Sequence, residues 1–334
     1  MLRPGLTRFI LAFCVILYHL SQNIFLGYFA VGCFFILSGY WISLMYEHKY
    51  SKKEASLKVF YVSRLWRLLP VFYTFVILGL VVDGLSHSVF FTNYAALDNA
   101  GKSSIIFSNI AILGYAFNKV RLIGPAWSLD VELQFYIIFP LLAYLVRNNK
   151  KHLIFVTAAF FVFAVYVLLS HRAWLLNTSL AYLYLFFTGV LIYHYKLRPG
   201  PKIEKWSVAL FISILVAQYS IPALAPYYRD GRSSYYGVLN FALIVTAIPT
   251  LINSVHRKTD ANDKFLGEMS FMIYLSHWVW IIPYNMLITN ASKFTRISYV
   301  SGFLIITLLS SYLVYRFIDR PSEKLRHKWV NLQK

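Results

Sequence analysis

The chain has 334 residues, of which 59% are hydrophobic and 19% aromatic while 13% are charged. That composition excludes an ordinary soluble enzyme, in which about a quarter of the residues are charged, and points to an all-α, polytopic membrane helix bundle. The net charge of +19 is spread over successive loops between apolar runs. It therefore reads as topology signal and attraction to anionic membrane lipid, with no nucleic-acid partner, which would need a clustered basic face.

A bilayer core asks about 20 apolar residues of a helix. Runs of that kind predict ten transmembrane helices, near residues 6–26, 28–46, 67–86, 126–146, 152–170, 174–195, 205–224, 235–253, 266–288 and 298–318. The shorter run from Ser103 to Phe117 is read as a partial or interfacial segment. With ten spans and an inner N-terminus, 24 of the 32 Lys and Arg fall on the inner side, as the positive-inside rule asks. An eleventh span would turn Arg147, Lys150 and Lys151 outward. Both termini are thus expected in the cytoplasm, with the chain in a bacterial inner membrane. The longest inner loop, 47–66, and the outer stretch before Trp127 are too short for an independent core. The expectation is one transmembrane domain over 1–334 with no fused soluble domain. The first apolar run continues through Tyr18-His19 without a small-residue cleavage site, so it is expected to stay as the first helix. The two cysteines, Cys14 and Cys33, have no spacing that suggests a disulfide framework or a metal site.

Ionisable residues inside spans are rare and mark function. In the first span Arg8 and His19 are eleven residues apart, which returns to nearly the same helix face three turns later and about 16 Å further on. An imidazole ordinarily titrates near neutrality, so His19 is the candidate general base. The second span carries Gly32 and Gly39, small residues that suit either helix packing or a substrate wall. Arg64 and Arg67, at i and i+3 before Pro70, share a helical face at the inner boundary. They read either as snorkelling anchors or as ligands for phosphate oxygens. Asp130 and Glu132 lie two apart at the start of the fourth span, so at most one of them faces a common site. In the ninth span Ser270, Tyr274 and His277 form a polar stripe at i, i+4 and i+7, fit for hydrogen-bonded packing or for substrate contact.

In this order the elements Arg8 to Tyr18-His19, Phe35-Ile36-Leu37-Ser38-Gly39-Tyr40, Arg64-Leu65-Trp66-Arg67-Leu68-Leu69-Pro70, Trp127-Ser128-Leu129-Asp130-Val131-Glu132, Leu266-Gly267 to Ser270 and Tyr274-Leu275-Ser276-His277 resemble the acyltransferase-3 family of integral-membrane O-acyltransferases. Two departures stand out. Asp319-Arg320-Pro321 replaces the family's usual glutamate before proline, and Ser63 stands where a further arginine is common. Aspartate is one methylene shorter, so an ion pair with Arg64 or Arg67 would require closer approach.

The resemblance implies transfer of an acyl group, most often acetyl, from cytoplasmic acetyl-CoA as co-substrate to a hydroxyl of a glycan or lipid-linked saccharide outside, such as O-antigen or exopolysaccharide. It implies no metal. Catalysis is assigned to His19 and Glu132, the latter orienting the imidazolium. The acyl donor is assigned to Arg8, Ser38, Arg64 and Arg67. Substrate contact or support falls to Trp127, Asp130, Ser270, Tyr274, His277 and Asp319. His19 could act as base or as the nucleophile of an acyl-histidine relay. Outer residues Arg172, Arg229, Asp230 and Arg232 are open to glycan contact. The alternative from another class is a proton-coupled transporter or flippase, since buried His, Arg and Glu also mark ion pathways; no internal repeat of the kind common in transporters is visible.

Overall fold

The computed structural model describes residues 2–21, 23–53, 56–86, 89–148, 150–170, 173–229, 234–289 and 292–333; Arg172, Asp230 and Arg232 lie outside them, as does the side chain of Arg229. Among the described residues there is no strand. The helices are Pro4–Leu20 (α1), Gly27–Met45 (α2), Ser56–Ser86 (α3), Val89–Ala95 (α4), Asn99–Ala111 (α5), Trp127–Asn148 (α6) and Lys150–Leu169 (α7). They continue with Leu183–Tyr195 (α8), Pro201–Ser220 (α9), Ala225–Arg229 (α10), Ser234–Val255 (α11), Ala261–Ile288 (α12), Lys293–Val314 (α13) and Arg320–Leu332 (α14). π-Helical turns at Tyr46–Tyr50 and Tyr315–Asp319 extend α2 and join α13 to α14.

Each of the ten expected spans has a helix, but the boundaries differ in informative ways. Among the described residues seven helical stretches are long and apolar enough to cross a membrane, while α1 and α8 are shorter apolar helices. α1 ends at Leu20, six residues before the expected limit, because the extended backbone at Ser21 stops it. His19 therefore sits in the last turn of the helix and not at its middle. The expected span 174–195 is helical in the α sense only from Leu183; 3₁₀ turns occupy Ala173–Asn177 and Ser179–Ala181. α3 begins eleven residues before the expected span and runs for 31 residues, roughly 46 Å, well beyond a 30 Å hydrocarbon core. The 13-residue α5, about 20 Å long, is too short to cross, in keeping with its reading as a partial segment.

The chain divides into two compact units. The first contains residues 1–45 and 141–270. Its tightest packing is between α2 and α8. A Cβ at Gly39 would lie 2.0 Å from the Phe186 carbonyl oxygen, and one at Gly189 would lie 2.0 Å from that of Ile36. Two reciprocal glycines thus let the backbones touch, as small residues do in membrane helix pairs. Phe35 stacks on Phe186 at 4.6 Å beside this crossing. The Phe29 N–H in the first turn of α2, which has no partner within its own helix, donates to Asn240 Oδ1 of α11 at 2.8 Å.

The first turn of α1 is held by the start of α12. Gly5 and Leu6 donate their N–H groups to the Asp263 carboxylate at 3.1 and 2.9 Å. A Cβ at Gly5 would overlap the Asp263 carbonyl, and one at Gly267 would lie 3.1 Å from Gly5 Cα, which gives the Leu266-Gly267 element a packing role. Asp260 caps α12 by accepting the Asp263 N–H at 2.8 Å, and it pairs with Arg3. The Asp263 N–H and the Arg3 guanidinium hold the Asp260 carboxyl below the usual carboxylate range. The contact is therefore complete at neutral pH and is lost as pH falls through that lowered value. Arg257 donates to the Leu2 carbonyl at 2.7 Å and pairs with Glu204 at 3.5 Å.

The second unit contains residues 46–140 and 271–334. Trp66 of α3 donates to Ser322 Oγ of α14 at 3.0 Å, and its ring lies 6.1 Å from that of Trp329. The helix expected to end near residue 318 instead continues past the π-helical turn as α14, which packs on the N-terminal part of α3. Ser276 of α12 shares a 2.7 Å hydrogen bond with Ser310 of α13, which also accepts from Trp280 Nε1 at 2.9 Å.

Replacing Gly189 by leucine drives a side chain into the α2 backbone. A loss of about 3 kcal/mol or more is expected from overpacking that neither backbone can relieve. A markedly lower melting temperature of the detergent-solubilised protein checks it, with exposed Gly200→Ala, which meets no atom within 4 Å, as the neutral control.

Candidate functional site

In the first unit, α1 is continuous from Pro4 to Leu20, so Arg8 and His19 are realised as two half-buried side chains on one helix face, three turns apart. The His19 ring meets Tyr18 edge-on at 4.9 Å; Tyr18 meets Tyr28 at 6.4 Å, and Tyr28 meets Tyr236 at 5.5 Å. The candidate base thus adjoins an aromatic wall from α1, α2 and α11. Ser38 lies half-buried on α2, next to the glycine that touches α8. Ser270 closes this unit on α12 and donates to the Gly267 carbonyl at 2.7 Å.

In the second unit the two α3 arginines have different partners. Arg67 donates to Asp319 Oδ1 at 2.8 Å and lies 3.4 Å from Glu323 of α14. The shorter aspartate does pair with an α3 arginine, and it is the last residue of the π-helical turn Tyr315–Asp319. Such a turn inserts a residue into the helical register and re-aims the residues beyond it. Arg64 instead donates to the Tyr50 hydroxyl at 2.7 Å, with its guanidinium carbon 5.4 Å from the Tyr50 ring centroid and 6.0 Å from that of Tyr136. Tyr50 is itself the last residue of the other π-helical turn, Tyr46–Tyr50. Both turns therefore end on the residue that meets an α3 arginine.

Asp130 and Glu132 separate as their spacing requires. Asp130 is fully buried and accepts from the Ala116 N–H at 2.8 Å and from Gln134 Nε2 at 3.0 Å, tying the loop before α6 to the helix. Glu132 is part-exposed, accepts from the Tyr136 hydroxyl and attracts Arg64 electrostatically. Trp127 is the first residue of α6. The next residue, Ser128, shares a 2.7 Å hydrogen bond with Tyr274 of α12, whose hydroxyl also lies 3.1 Å from the Pro125 carbonyl. His277 is fully buried with Nδ1 3.1 Å from the Ile273 carbonyl. Along the α12 stripe Ser270 and His277 thus meet carbonyls of their own helix, while Tyr274 bonds the start of α6. Among the described residues no group of three or more His, Cys, Asp and Glu is placed to hold a metal ion.

Sequence reasoning overlooked Tyr50, Glu323 and Arg326, which complete the arginine cluster, and took Ser63 only as a departure from the family. The available signal was the Glu323-Arg326 spacing, an i,i+3 pair on a helix after Pro321. It cannot be connected to Ser63 without knowing that α14 folds back on α3.

Asp319→Asn leaves Arg67 with one carboxylate where it had two. About 3 kcal/mol of stability is expected to be lost, as for breaking a largely buried pair. Thermal unfolding followed by tryptophan fluorescence checks it, and Asp319→Glu should restore most of the loss.

The match to the family model described as an acyltransferase domain covers residues 4–316. BcsY of Komagataeibacter xylinus, provisionally named a membrane-bound transacylase, is 26% identical over 88% of this chain and 76% of its own length. A Staphylococcus aureus strain COL protein, provisionally named an O-acetyltransferase, is 24% identical over 98% of this chain and 58% of its own length. The peptidoglycan O-acetyltransferase OatA of Listeria monocytogenes is 25% identical over 95% of this chain and 55% of its own length. The chain thus spans little more than half the length of the last two. No solved structure shows a significant match. A match that runs from the first turn of α1 to the π-helical turn before α14 places this multi-pass membrane protein in the acyltransferase-3 family of membrane O-acyltransferases.

Proposed function

We propose that the chain moves an acyl group, acetyl foremost, from cytoplasmic acyl-CoA to a hydroxyl of a cell-surface glycan or lipid-linked saccharide, at the inner membrane of a bacterium. The observation that carries this reading is Arg8 and His19 on one face of a continuous α1 in a chain of acyltransferase ancestry. The relative named a peptidoglycan O-acetyltransferase supports a glycan as the acceptor class.

In this reading His19 takes the proton of the acceptor hydroxyl as its oxygen attacks the thioester carbonyl. The new C–O bond forms, the C–S bond breaks, and the departing CoA thiolate recovers the proton from the imidazolium. No redox change occurs and the enzyme ends as it began. Arg8, Ser38 and the α3 arginines serve the donor, whose phosphates are matched by guanidinium groups. Glu132 supplies balancing negative charge. Trp127, Asp130, Ser270, Tyr274, His277 and Asp319 support the frame or the substrates.

His19→Ala should lower acetyl transfer by at least about 100-fold, the lower end of what a general base contributes, while the protein stays folded in the membrane. Mass spectrometry of the surface glycan reads this, and full acetylation would remove His19 from the mechanism. Arg64→Ala should raise the acyl-CoA concentration needed for half-maximal CoA release. An unchanged dependence would leave Arg64 a packing residue.

A further inference from the structure

Two guanidinium groups converge on a pair of neutral oxygens at one end of α3. Arg326 of α14 is buried, and it divides its donors between two partners. Its Nε and one terminal nitrogen grip Glu323 at 2.9 and 2.6 Å, while the other terminal nitrogen donates to Ser63 Oγ at 2.6 Å and reaches Tyr50 Oη at 3.4 Å. Tyr50 Oη also accepts from Arg64 at 2.7 Å and lies 2.8 Å from Ser63 Oγ. The small side chain at Ser63 leaves the space that Arg326 fills. At the rim, Lys49 Nζ donates to His327 Nδ1 at 3.0 Å, and the His327 side chain is half-exposed.

The charge balance favours an anion at this point. Arg67 and Arg326 pair with Asp319 and Glu323, Glu323 also attracts Lys49 and lies 3.5 Å from His327, and Glu132 acts on Arg64. Asp319 is taken up by Arg67, and Glu323 is shared between Arg67 and the far edge of Arg326. The near edge of Arg326 therefore meets a hydroxyl and a phenol, and one terminal nitrogen of Arg64 meets the same phenol. Both bonds already have an ionised donor, and an anionic acceptor in place of a neutral oxygen adds direct charge attraction to each. A phosphate that displaced these oxygens would gain from both guanidiniums without breaking an ion pair.

We propose that Arg64 and Arg326 form a two-guanidinium seat for a phosphate group of the acyl donor, so that the C-terminal helix α14 takes part in donor binding. The proposal rests on the reading of acyl-CoA as donor. The ligand chemistry, a phosphate ester, is shared by the nucleotide of CoA and by anionic lipid headgroups.

The test measures binding of CoA and of pantetheine, which lacks the nucleotide phosphates, to the full chain in neutral detergent. Arg326→Gln keeps a donor for Ser63 but removes the charge. CoA affinity should fall about tenfold or more, the effect of losing a charge-assisted hydrogen bond, with pantetheine affinity unchanged. Lys324→Gln, an exposed charge on the same helix, should alter neither. Equal CoA affinity in wild type and Arg326→Gln overturns the seat and leaves the donor reading standing, as does an equal loss for CoA and pantetheine. Loss of co-purified phosphatidylglycerol with unchanged CoA affinity assigns the seat to lipid and overturns the proposal. No CoA binding by the wild type overturns the donor reading itself. If Arg326→Gln does not fold, Arg326→Lys, which keeps charge but not the fork, should weaken CoA severalfold; equal affinity would overturn the seat.

Discussion

The Asp263 carboxylate on the first turn of α1 fixes where the helix that carries Arg8 and His19 begins. The first N–H groups of any helix lack partners within it, and the helix dipole adds partial positive charge there. A carboxylate delivered from α12 answers both needs, and the Gly5 and Gly267 contacts let the two helix starts approach closely enough for it to do so. Everything on α1 inherits this anchor. With the start held and Ser21 ending the helix, Arg8 and His19 have a defined spacing and a shared face.

The second unit meets a different demand, which is to hold several cations where water is scarce. It does so by unequal treatment of two arginines three residues apart. Arg67 is neutralised by Asp319 and Glu323, whereas Arg64 is satisfied by a phenol and an aromatic face. Such neighbours read alike in sequence but differ chemically. One pairs with two carboxylates, while the hydrogen bond and ring contacts of the other go to tyrosines. The two π-helical turns make the difference, because each redirects its terminal residue toward a particular arginine.

Much of the architecture was legible from residue order. Apolar run length located ten helices, because a membrane span must satisfy its backbone internally and cover about 30 Å. The 100° rotation per residue put Arg8 with His19 and parted Asp130 from Glu132, and both relations hold in the structure. Boundaries were less legible. Hydropathy continues past Leu20, yet the helix does not, and α3 is helical well before its apolar run because packing on α14 supports its polar first turns.

The sequence by itself determined the membrane class, the approximate places of the apolar helices and which side chains share a helix face, since these depend on local composition and the fixed geometry of a helix. Only the tertiary structure decided what those side chains meet. That Gly39 touches Phe186, that Asp263 caps a helix more than 250 residues earlier, and that Arg326 fills the space beside Ser63 are long-range contacts. They depend on how distant helices fold back on one another, and no local periodicity encodes that.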